Sequence, residues 1–362
     1  MNATFWKGRS VFITGHTGFK GAWLSLWLEH LGARVTGYAL APPTDPSLFG
    51  LTAAGTGIQD LRGDVRDGSA LESAIRQAKP EVVLHLAAQS LVRVSYDAPV
   101  ETYATNVMGT VHVLEGIRRT PGVRAAVVVT SDKCYENREW DRGYREDDAL
   151  GGHDPYSSSK GCAELVTTAY RRSFFNAQRE HVTAIASGRA GNVIGGGDWA
   201  RDRLMPDLLR AFAERRPAAI RNPLATRPWQ HVLEPLRGYL SLAEQLCNGD
   251  GAAAGAWNFG PLKADVKSVA WIADAAARRW GGGAVWESDR SVHPHEARSL
   301  ELDISKAQAD LGWHPVLTVD DAVDWTVRWH KGLQDGQSAR ALTLRDISEY
   351  AERVAAGAGQ AR

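Results

Sequence analysis

The stretch VFITGHTGFKG, residues Val11–Gly21, joins a short hydrophobic strand to a glycine-rich turn. Residues Val11–Thr14 are β-branched or aromatic, which is typical of a buried strand. Apolar side chains then recur at helical spacing, at Trp23, Leu24, Trp27, Leu28 and Leu31, and Gly32 ends the predicted helix. A strand, a glycine turn and a helix in this order predict the first unit of a parallel α/β sheet.

The glycines of this turn have the spacing G-x-x-G-x-x-G. Such glycines let backbone N–H groups approach a diphosphate at the positive end of the following helix. We therefore predict a dinucleotide site here, and the alternative is an ordinary βα loop. The predicted contacts in this turn are Gly15, Thr17, Gly18, Phe19, Lys20 and Gly21.

Similar βα units continue to about residue 190. The predicted later strands are Arg34–Tyr38, a strand that ends in the stretch Leu61–Arg66, Val82–Leu86, Ala125–Thr130 and Thr183–Ser187. Alternating strands and helices of this length predict a Rossmann-like, doubly wound parallel sheet in residues 1–190.

The composition changes after residue 190, where Gly, Asn, Arg, Trp and Pro become frequent. We predict that residues 191–350 form a smaller C-terminal α/β lobe that binds substrate, with residues 233–262 returning to the first domain. Residues 351–362 are rich in Ala and Gly, and we expect a mobile tail there.

The residues after the second strand bear on the choice of dinucleotide. An acidic residue at this point selects NAD and an Arg selects NADP, yet Ala39–Pro42 contain neither. We favour NAD because this segment has no cation for a 2′-phosphate. Asp64 either accepts a hydrogen bond from the adenine amino group or caps the next helix. The remaining predicted cofactor contacts are Val65, Leu86, Ala87, Ala88, Gln89 and Asn106, together with Tyr156 and Lys160.

Two short sequence patterns contain candidate catalytic residues. Tyr156 and Lys160 lie one helical turn apart, so the ammonium should favour the phenolate, although such a pair alone is often only a surface feature. Ser131, Asp132 and Lys133 follow a predicted strand at the sheet edge where ligands bind. Asp132 needs a raised pKa to act as an acid and Lys133 a lowered pKa to act as a base. Burial favours both changes and their mutual attraction opposes them, so an ordinary salt-bridged turn is the alternative.

Several further polar residues are candidates for binding an anionic substrate. Arg227 suits a diphosphate because a guanidinium binds two phosphate oxygens at once. Arg203 is a weaker candidate for the same charge, and Asn192 either binds phosphate or sugar or forms a turn. The predicted substrate contacts are Arg93, Asn192, Arg203, Arg227, His231 and His295. The His and Glu spacing fits no common metal site, so we predict no metal.

Composition narrows the class of protein. The 362 residues include 42 basic and 42 acidic side chains, so no bulk charge indicates nucleic acid or an anionic membrane. Cys134, Cys162 and Cys247 form no CxxC motif, as expected in a reducing cytoplasm. No segment is both long and apolar enough to suggest a membrane span, and we predict a soluble cytoplasmic protein.

Taken together, these motifs resemble those of the extended short-chain dehydrogenases/reductases that act on nucleotide sugars. The segments closest to the CDP-glucose 4,6-dehydratases of that group are Ile13–Gly21, Ser131–Tyr135, Gly195–Trp199, Arg227–His231 and His293–Glu296. The resemblance extends from about Trp6 to Ile347. Ala41 departs from it, because many such enzymes have an acidic residue there.

The resemblance implies a reaction cycle. Bound NAD would oxidise C4 of CDP-glucose while Tyr156 takes the hydroxyl proton; Lys133 and Asp132 would then remove water across C5 and C6, and the hydride would return to C6. The product, CDP-4-dehydro-6-deoxy-glucose, belongs to deoxysugar biosynthesis of the O-antigen or lipopolysaccharide type. The alternatives are a dehydratase for another nucleotide hexose, a 4-epimerase or reductase, and a non-catalytic NAD-binding regulator. The resemblance also implies a homodimer or tetramer, paired through the helix near Val100 and the helix carrying Tyr156.

Overall fold

The computed structural model describes residues 2–52, 57–175, 183–289, 291 and 299–360. Its main feature is a parallel sheet of seven strands: β1 Ser10–Thr14, β2 Arg34–Ala39, β3 Gln59–Arg62, β4 Val82–His85, β5 Ala125–Val129, β6 Ala184–Ala190 and β11 Ala256–Phe259. Short strand pairs are formed by β7 Val193–Ile194 with β10 Gln230–His231, β9 Thr226–Arg227 with β12 Lys267–Ser268, and β8 Ala218–Ile220 with β13 Trp286–Ser288.

The strand order in the large sheet is β3-β2-β1-β4-β5-β6-β11. Every residue of β4 and β5 is buried, as expected for central parallel strands covered by helices on both faces. The chain reverses direction across the sheet between β1 and β4, and ligands bind at the carboxyl ends of the strands beside such a reversal. The predicted doubly wound sheet is therefore confirmed.

The helices of the described residues are α1 Ala3–Trp6, α2 Phe19–His30, α3 Leu48–Thr52, α4 Gly68–Ala78, α5 Val92–Asp97, α6 Pro99–Tyr103, α7 Gly109–Arg118, α8 Pro155–Ser173, α9 Leu204–Ala213, α10 Leu233–Cys247, α11 Val269–Trp280, α12 Ser305–Leu311, α13 Val319–Gln334 and α14 Ala339–Gln360. Short 3₁₀ turns occur at Asp132–Cys134, Gly251–Ala253 and Lys263–Asp265. None of these helices has the length and apolar character needed to cross a lipid bilayer.

Two helices next to the sheet carry predicted site residues. The predicted helix around Asn106 runs from α6 to α7, but a π-helical turn at Ala104–Met108 widens its middle. Helix α8 begins where Asp154 caps it, accepting a hydrogen bond from the Ser157 backbone N–H at 2.9 Å. Pro155 occupies the first helical position, where its missing N–H is not needed.

The C-terminal half contributes to two packed regions. Helix α10 packs against β5 and β6 of the large sheet. Strand β11 pairs with β6 and is the last strand at that edge of the sheet. A separate hydrophobic cluster joins α9, α11 and α13 through residues such as Leu208, Ile272 and Val323. Helix α14 extends to Gln360, into the segment predicted to be a mobile tail, where Ala residues are strong helix formers.

Candidate active site

The glycine turn after β1 is shaped by close backbone contacts. Gly15 has φ +79°, and a Cβ atom there would lie 2.6 Å from the Ala87 backbone nitrogen. A Cβ atom at Gly21 would lie 2.1 Å from the carbonyl oxygen of Gly15. Gly18 caps α2, whose first N–H groups therefore face the space beside the turn. This arrangement suits a diphosphate at the helix N-terminus.

A buried side chain connects this turn with the loop after β4. The ring of His85 is hydrogen-bonded to Thr14 Oγ1 at 2.7 Å and to Thr110 Oγ1 at 3.2 Å. Thr14 Oγ1 also accepts a hydrogen bond from the Ala87 backbone N–H at 3.2 Å. Burial lowers the pKa of His85 to about 3, so the ring is neutral and acts as a hydrogen-bonding link between the two loops.

Asn106 connects the loop after β4 with the helix that carries Tyr156. Its side chain pairs with the backbone of Gln89 through two hydrogen bonds of 2.9 Å and donates to Ser159 Oγ at 2.8 Å. Ser159 in turn donates to the carbonyl oxygen of Tyr156 at 2.7 Å. Asn106 lies in the π-helical turn, a feature often found at functional sites. The buried amide therefore positions the surrounding loop and helix.

The structure corrects one alternative for Asp64. The side chain that caps α4 is Asp67, which accepts from the Ala70 backbone N–H at 2.9 Å. Asp64 instead pairs with Arg66 at 2.5 Å, and the hydrogen bond from Arg66 holds the pKa of its carboxyl group below the usual range. β3 ends at Arg62, within the stretch predicted to end a strand, so Asp64 lies in the loop that follows.

The predicted catalytic residues lie together at the carboxyl ends of the central strands. Ser131 caps the 3₁₀ turn that follows β5, and its Oγ donates to Asp132 Oδ1 at 2.8 Å and accepts from the Lys133 backbone N–H at 3.2 Å. Ser131, Asp132, Tyr156 and Lys160 are buried, whereas Lys133 is partly exposed. The 3₁₀ turn and α8 thus bring the two sequence patterns into one site.

The absence of a side chain at Gly191 leaves space for the carboxyl group of Asp132. A Cβ atom at Gly191 would lie 3.0 Å from Asp132 Oδ2 and 2.7 Å from Pro228 Cγ. Among the described residues, Asp132 Oδ2 is buried without a hydrogen-bond partner. Burial raises the pKa of Asp132, although the Lys133 charge and the Ser131 hydrogen bond oppose this increase. The carboxyl group therefore has the raised pKa that a general acid needs.

The electrostatics of Tyr156 differ from the sequence prediction. Burial raises the pKa of Tyr156 to about 12, and a hydrogen bond with the Ser131 side chain opposes the increase. Lys160 Nζ lies 6.0 Å from the centre of the Tyr156 ring, and burial lowers the pKa of Lys160 to about 8. The predicted lowering of the Tyr156 pKa by Lys160 is therefore wrong for the ligand-free protein, because desolvation of the phenolate outweighs an ammonium at this distance.

Lys20 of the glycine turn belongs to the same electrostatic environment. Burial lowers its pKa to about 7, and the charges of Arg203 and Lys160 add to this effect while Asp132 opposes it. Its Nζ lies 6.0 Å from the ring centre of the buried Tyr239 on α10. These neighbouring cations favour an anionic ligand, as expected for a residue predicted to contact the cofactor.

Two predicted substrate residues lie at the margin of the site. Arg203 donates to Asp198 Oδ2 and to Ser90 Oγ, both at 3.0 Å, and so connects the loop after β4 with the segment before α9. Arg93 lies 3.6 Å from Asp202 in the same region.

Arg227 lies deeper in the structure, and Asn192 is half-buried. Arg227 is buried, donates to the carbonyl oxygen of Thr226 at 2.8 Å, and has a charge that lowers the pKa of Asp132. Asn192 lies between β6 and β7, and its backbone carbonyl accepts from the Gln230 backbone N–H at 3.1 Å. Arg203 and Arg227 therefore both act electrostatically on residues of the catalytic group.

The two predicted histidine contacts have different outcomes. His231 is fully buried, with its ring between those of Trp23 and Trp325 at 5.7 and 5.5 Å. This surrounding is that of a packing residue and does not support a substrate contact. His295 lies outside the described residues.

A buried ion pair beneath the catalytic group was not predicted. Glu164 accepts from Arg189 at 2.8 Å, from Ser187 at 2.8 Å and from Thr130 at 2.5 Å. Burial raises the pKa of Glu164, but the Arg189 charge and these hydrogen bonds outweigh it and lower the pKa overall. Thr130 directly precedes Ser131, so the pair fixes α8 against the end of β5. The sequence feature that could have indicated this buried carboxylate is the position of Glu164 one helical turn after Lys160.

Comparison with known proteins identifies the family. Residues 12–326 match the model of the GDP-mannose 4,6 dehydratase family. A CDP-glucose 4,6-dehydratase of Salmonella typhimurium is 52% identical over 352 residues, which cover 97% of this chain and 98% of that protein. The chain belongs to this family of nucleotide-sugar 4,6-dehydratases.

More distant dehydratases and solved structures agree with this assignment. A dTDP-glucose 4,6-dehydratase of Streptomyces griseus is 28% identical over 273 residues, which cover 74% of this chain and 76% of that protein. A Bacillus anthracis dTDP-glucose 4,6-dehydratase solved with NAD has a TM-score of 0.74 at 19% identity and covers 91% of this chain and 98% of its own. A Thermotoga maritima UDP-glucose 4-epimerase reaches 0.73 at 18% identity, covering 90% of this chain and 99% of its own. The structural matches establish the fold, and the Salmonella relative confirms the predicted resemblance.

Proposed function

We propose that this dehydratase converts CDP-D-glucose to CDP-4-dehydro-6-deoxy-D-glucose and water. The observation that carries the proposal is the acid/base pair formed by the buried Asp132 and the partly exposed Lys133 in the 3₁₀ turn that packs against the helix of Tyr156. A 4-epimerase or reductase needs Tyr156 and Lys160 but has no step for such an additional pair. The 52% identity with a CDP-glucose 4,6-dehydratase supports CDP-glucose over other nucleotide hexoses.

The proposed cofactor is NAD, and the residues present fit it. Gly15 and Gly21 permit close backbone packing of the turn, because a Cβ at either position would clash with the Ala87 backbone or the Gly15 carbonyl oxygen, and this packing places the turn at the N-terminus of α2, where a diphosphate would bind. Ala39–Pro42 contain no cation for a 2′-phosphate, and Arg62, which donates to the Leu40 carbonyl oxygen, is paired with Asp60 at 2.7 Å. When bound, NAD takes the hydride from C4 and returns it to C6.

Tyr156 is the proposed base for the C4 hydroxyl. Its phenol is buried, so it exchanges protons with neighbouring groups more readily than with bulk water. The Ser131 side chain opposes the rise in the Tyr156 pKa and so favours the phenolate. Lys160, on the same face of α8, adds a positive charge to this environment and orients the cofactor ribose.

Asp132 and Lys133 are the proposed acid and base for loss of water. Oxidation of C4 makes the C5 proton acidic, and Lys133, the only amine in the 3₁₀ turn that holds Asp132, is the proposed base in its neutral form. Asp132 gives a proton to the departing C6 hydroxyl, for which its raised pKa is suited. Gly191 keeps this carboxyl group in a space too small for another side chain.

We assign residues 191–350, apart from the returning segment 233–262, to substrate binding, and residues 1–190 to cofactor binding. Arg227 and Arg203 are the proposed ligands of the substrate diphosphate, since their charges act on Asp132 and Tyr156. Arg93 is a further proposed cation at the edge of this substrate site. In the ligand-free protein, Asp198 and Ser90 hold Arg203 in position for this role.

The test is to incubate the purified protein and NAD separately with CDP-, dTDP-, UDP- and GDP-glucose, and to measure product masses. We expect loss of one water from CDP-glucose. Loss of water from a different nucleotide sugar alone would reject the CDP assignment. A product of unchanged mass with inverted C4 would support the 4-epimerase instead, and Asp132→Asn would then leave turnover nearly unchanged.

A homodimer is the proposed assembly. Apolar side chains on neighbouring helices face outward, with Val100 82% exposed on α6 and Leu165 59% exposed on α8. Tyr103 and Met108 extend this surface. Burying it against a second copy removes apolar area from water. Sedimentation should detect a dimer, and Leu165→Glu should weaken it, whereas a stable wild-type monomer would contradict the proposal.

We also propose a reducing, cytoplasmic location. Cys134, Cys162 and Cys247 are all free thiols, and two of them are buried. Free buried cysteines are typical of proteins that function in a reducing compartment. Fractionation of the source cell would test this location.

A further inference from the structure

A cavity of about 640 Å³ lies against α8, apart from the catalytic group. Its lining comes from the loop before α8, from one side of that helix, from β6 and β11, and from the start of α12. This volume is typical of sites that hold a small molecule. Among the described residues that line the cavity, none is a predicted cofactor, substrate or catalytic residue, and the reaction proposed above does not use them.

Two arginine side chains of this lining have hydrogen-bond donors without acceptors in the described part of the chain. Arg189, which is 3% exposed, donates to the Tyr135 hydroxyl and to Glu164, both at 2.8 Å, but its Nε is buried without a partner. Arg171 donates from Nη2 to Thr168 Oγ1 at 3.2 Å, whereas its Nη1 is buried without a partner. A buried donor without an acceptor is unfavourable, and a ligand that accepts hydrogen bonds in this cavity would remove that cost for both.

Lys306 adds a positive charge to the same lining. Its Nζ donates to the carbonyl oxygen of Ala256 at 2.8 Å and, among the described residues, pairs with no carboxylate. Burial lowers the pKa of Lys306; Glu146 opposes this change, while the charges of Arg189 and Arg171 add to it. The three cations are therefore close enough to repel one another, and an anion in the cavity would relieve that repulsion.

Most carboxylates of the lining already have partners. The ion pairs are Asp303 with Arg145 at 2.9 Å and Asp148 with Arg142 at 2.7 Å. Glu146 accepts from the backbone N–H of Asn258 at 2.8 Å, and Asp147 is exposed. Within the described residues, Arg171 and Lys306 are thus lining cations without a carboxylate partner, which gives the cavity a preference for anions.

We propose that this cavity binds a phosphate group, either free or in an ester of a small molecule, through Arg171, Arg189 and Lys306. A guanidinium binds two phosphate oxygens at once, and a lysine ammonium binds phosphate as a compact point charge. A phosphate monoester has about two negative charges and three acceptor oxygens, so it can accept from all three side chains. The cavity is larger than one phosphate group, which leaves room for an organic part such as a sugar.

The proposed site is separated from the catalytic group by one ion pair. Arg189 pairs with Glu164, which also accepts from Thr130, the residue before Ser131. A phosphate that accepts from Arg189 Nε would leave the contact between Nη2 and Glu164 in place. Because such a ligand binds only the folded arrangement of these side chains, it should raise the thermal stability of the protein.

The test measures binding of inorganic phosphate and of glucose 6-phosphate by isothermal titration calorimetry. The protein is first saturated with NAD and CDP, which occupy the proposed diphosphate sites. It is kept in the assembly that it forms in solution, because Leu165 lines this cavity and also belongs to the proposed dimer surface. We expect binding and a rise in melting temperature. Tighter binding of glucose 6-phosphate would identify an ester as the ligand, and tighter binding of inorganic phosphate would identify the free ion.

Substitutions locate the binding. Arg171→Gln should weaken it by about 10- to 100-fold, as expected for loss of a charge-assisted hydrogen bond, and Arg171→Lys should weaken it less. Arg278→Gln removes an exposed charge on α11; it is the matched control and should leave binding unchanged. Lys306→Gln provides the same comparison if Arg171→Gln does not fold, as judged by circular dichroism.

Three results would overturn the proposal. They are a wild type that binds neither probe, an Arg171→Gln variant that binds like the wild type, and an equal loss in Arg171→Gln and Arg278→Gln, which would mean only a general effect of net charge. Failure of the wild type to dehydrate any nucleotide sugar would instead reject the proposed function and would leave this site unaffected.

Discussion

Lys20→Met should make the ligand-free protein more stable near neutral pH. The Lys20 ammonium is partly buried and lies among the charges of Arg203 and Lys160, with Asp132 as the opposing anion. Met has a similar length and no charge, so it removes the cost of desolvating the ammonium while filling much of the same space. Lys20, a predicted cofactor contact, is therefore expected to destabilise the protein when no ligand is bound.

The magnitude follows from the pKa difference between the folded and unfolded states. Burial lowers the pKa of Lys20 from 10.5 to about 7, and each pKa unit corresponds to about 1.4 kcal/mol, so the ceiling is about 5 kcal/mol. Because Lys20 is only partly buried, solvent screening reduces the expected gain to about 1–2 kcal/mol.

The lowered pKa of Lys20 determines how the stability of the protein depends on pH. Between about pH 7 and pH 10.5 the unfolded chain keeps the Lys20 proton and the folded chain has lost it, so the wild type gains stability as pH rises. The advantage of Lys20→Met should therefore be largest below about pH 7 and should disappear near pH 10.5. Lys160, with a pKa lowered to about 8, adds a similar trend to both proteins.

The assay is urea unfolding of the ligand-free proteins from about pH 6 to pH 10. Lys263→Met, at an exposed position in a 3₁₀ turn, is the matched control and should change stability little. With saturating NAD present the advantage of Lys20→Met should shrink by about 1.4 kcal/mol, because the wild type gains more binding energy from its cation and we expect about tenfold weaker NAD binding by Lys20→Met. A variant that is less stable at pH 7, or an advantage that does not change with pH, would refute the reasoning.

Three further predictions concern the catalytic group and its support. Lys133→Met should still oxidise C4 but lose deuterium exchange at C5 and slow dehydration by about 10² to 10⁴, whereas Asp132→Asn should keep the exchange; near wild-type dehydration by Lys133→Met would exclude it as the base. Gly191→Ala should reduce dehydration and cost about 1–3 kcal/mol in urea unfolding, because its Cβ would lie 3.0 Å from Asp132 Oδ2; unchanged kinetics would show that the carboxyl group can move freely. Glu164→Gln should lower the free energy of unfolding by about 3–5 kcal/mol since it leaves Arg189 buried without its partner, and a change below about 1 kcal/mol would contradict that role.

The fold was predictable because its determinants are local in the sequence. Val11–Thr14, the glycine turn and the apolar face of α2 are continuous, and each is recognisable without knowledge of distant residues. The glycines at 15 and 21 were recognised from their spacing, and the structure adds the reason, which is close approach to Ala87 and to the turn itself. Ser131, Asp132 and Tyr156 could be predicted as candidate catalytic residues because each follows a strand or begins a helix at the ligand-binding edge.

Properties that depend on distant contacts were not predictable in the same way. His231 has the sequence surroundings of a site residue, but the packing of Trp23 and Trp325 around its ring decides that it is buried. The pKa of Tyr156 depends on how completely the folded chain removes water from the phenol, and the sequence contains no measure of this desolvation.

The sequence by itself determined which chemical groups this dehydratase has and the order in which the strands present them. The tertiary structure alone decided how those groups interact, including the contact of Ser131 with Asp132, the position of Arg203 between Asp198 and Ser90, and the ion pair of Glu164 with Arg189. The physical reason is that periodicity and propensity act over neighbouring residues. Hydrogen bonding, Coulomb interaction and desolvation depend instead on distances of a few ångströms that exist only after the chain has folded.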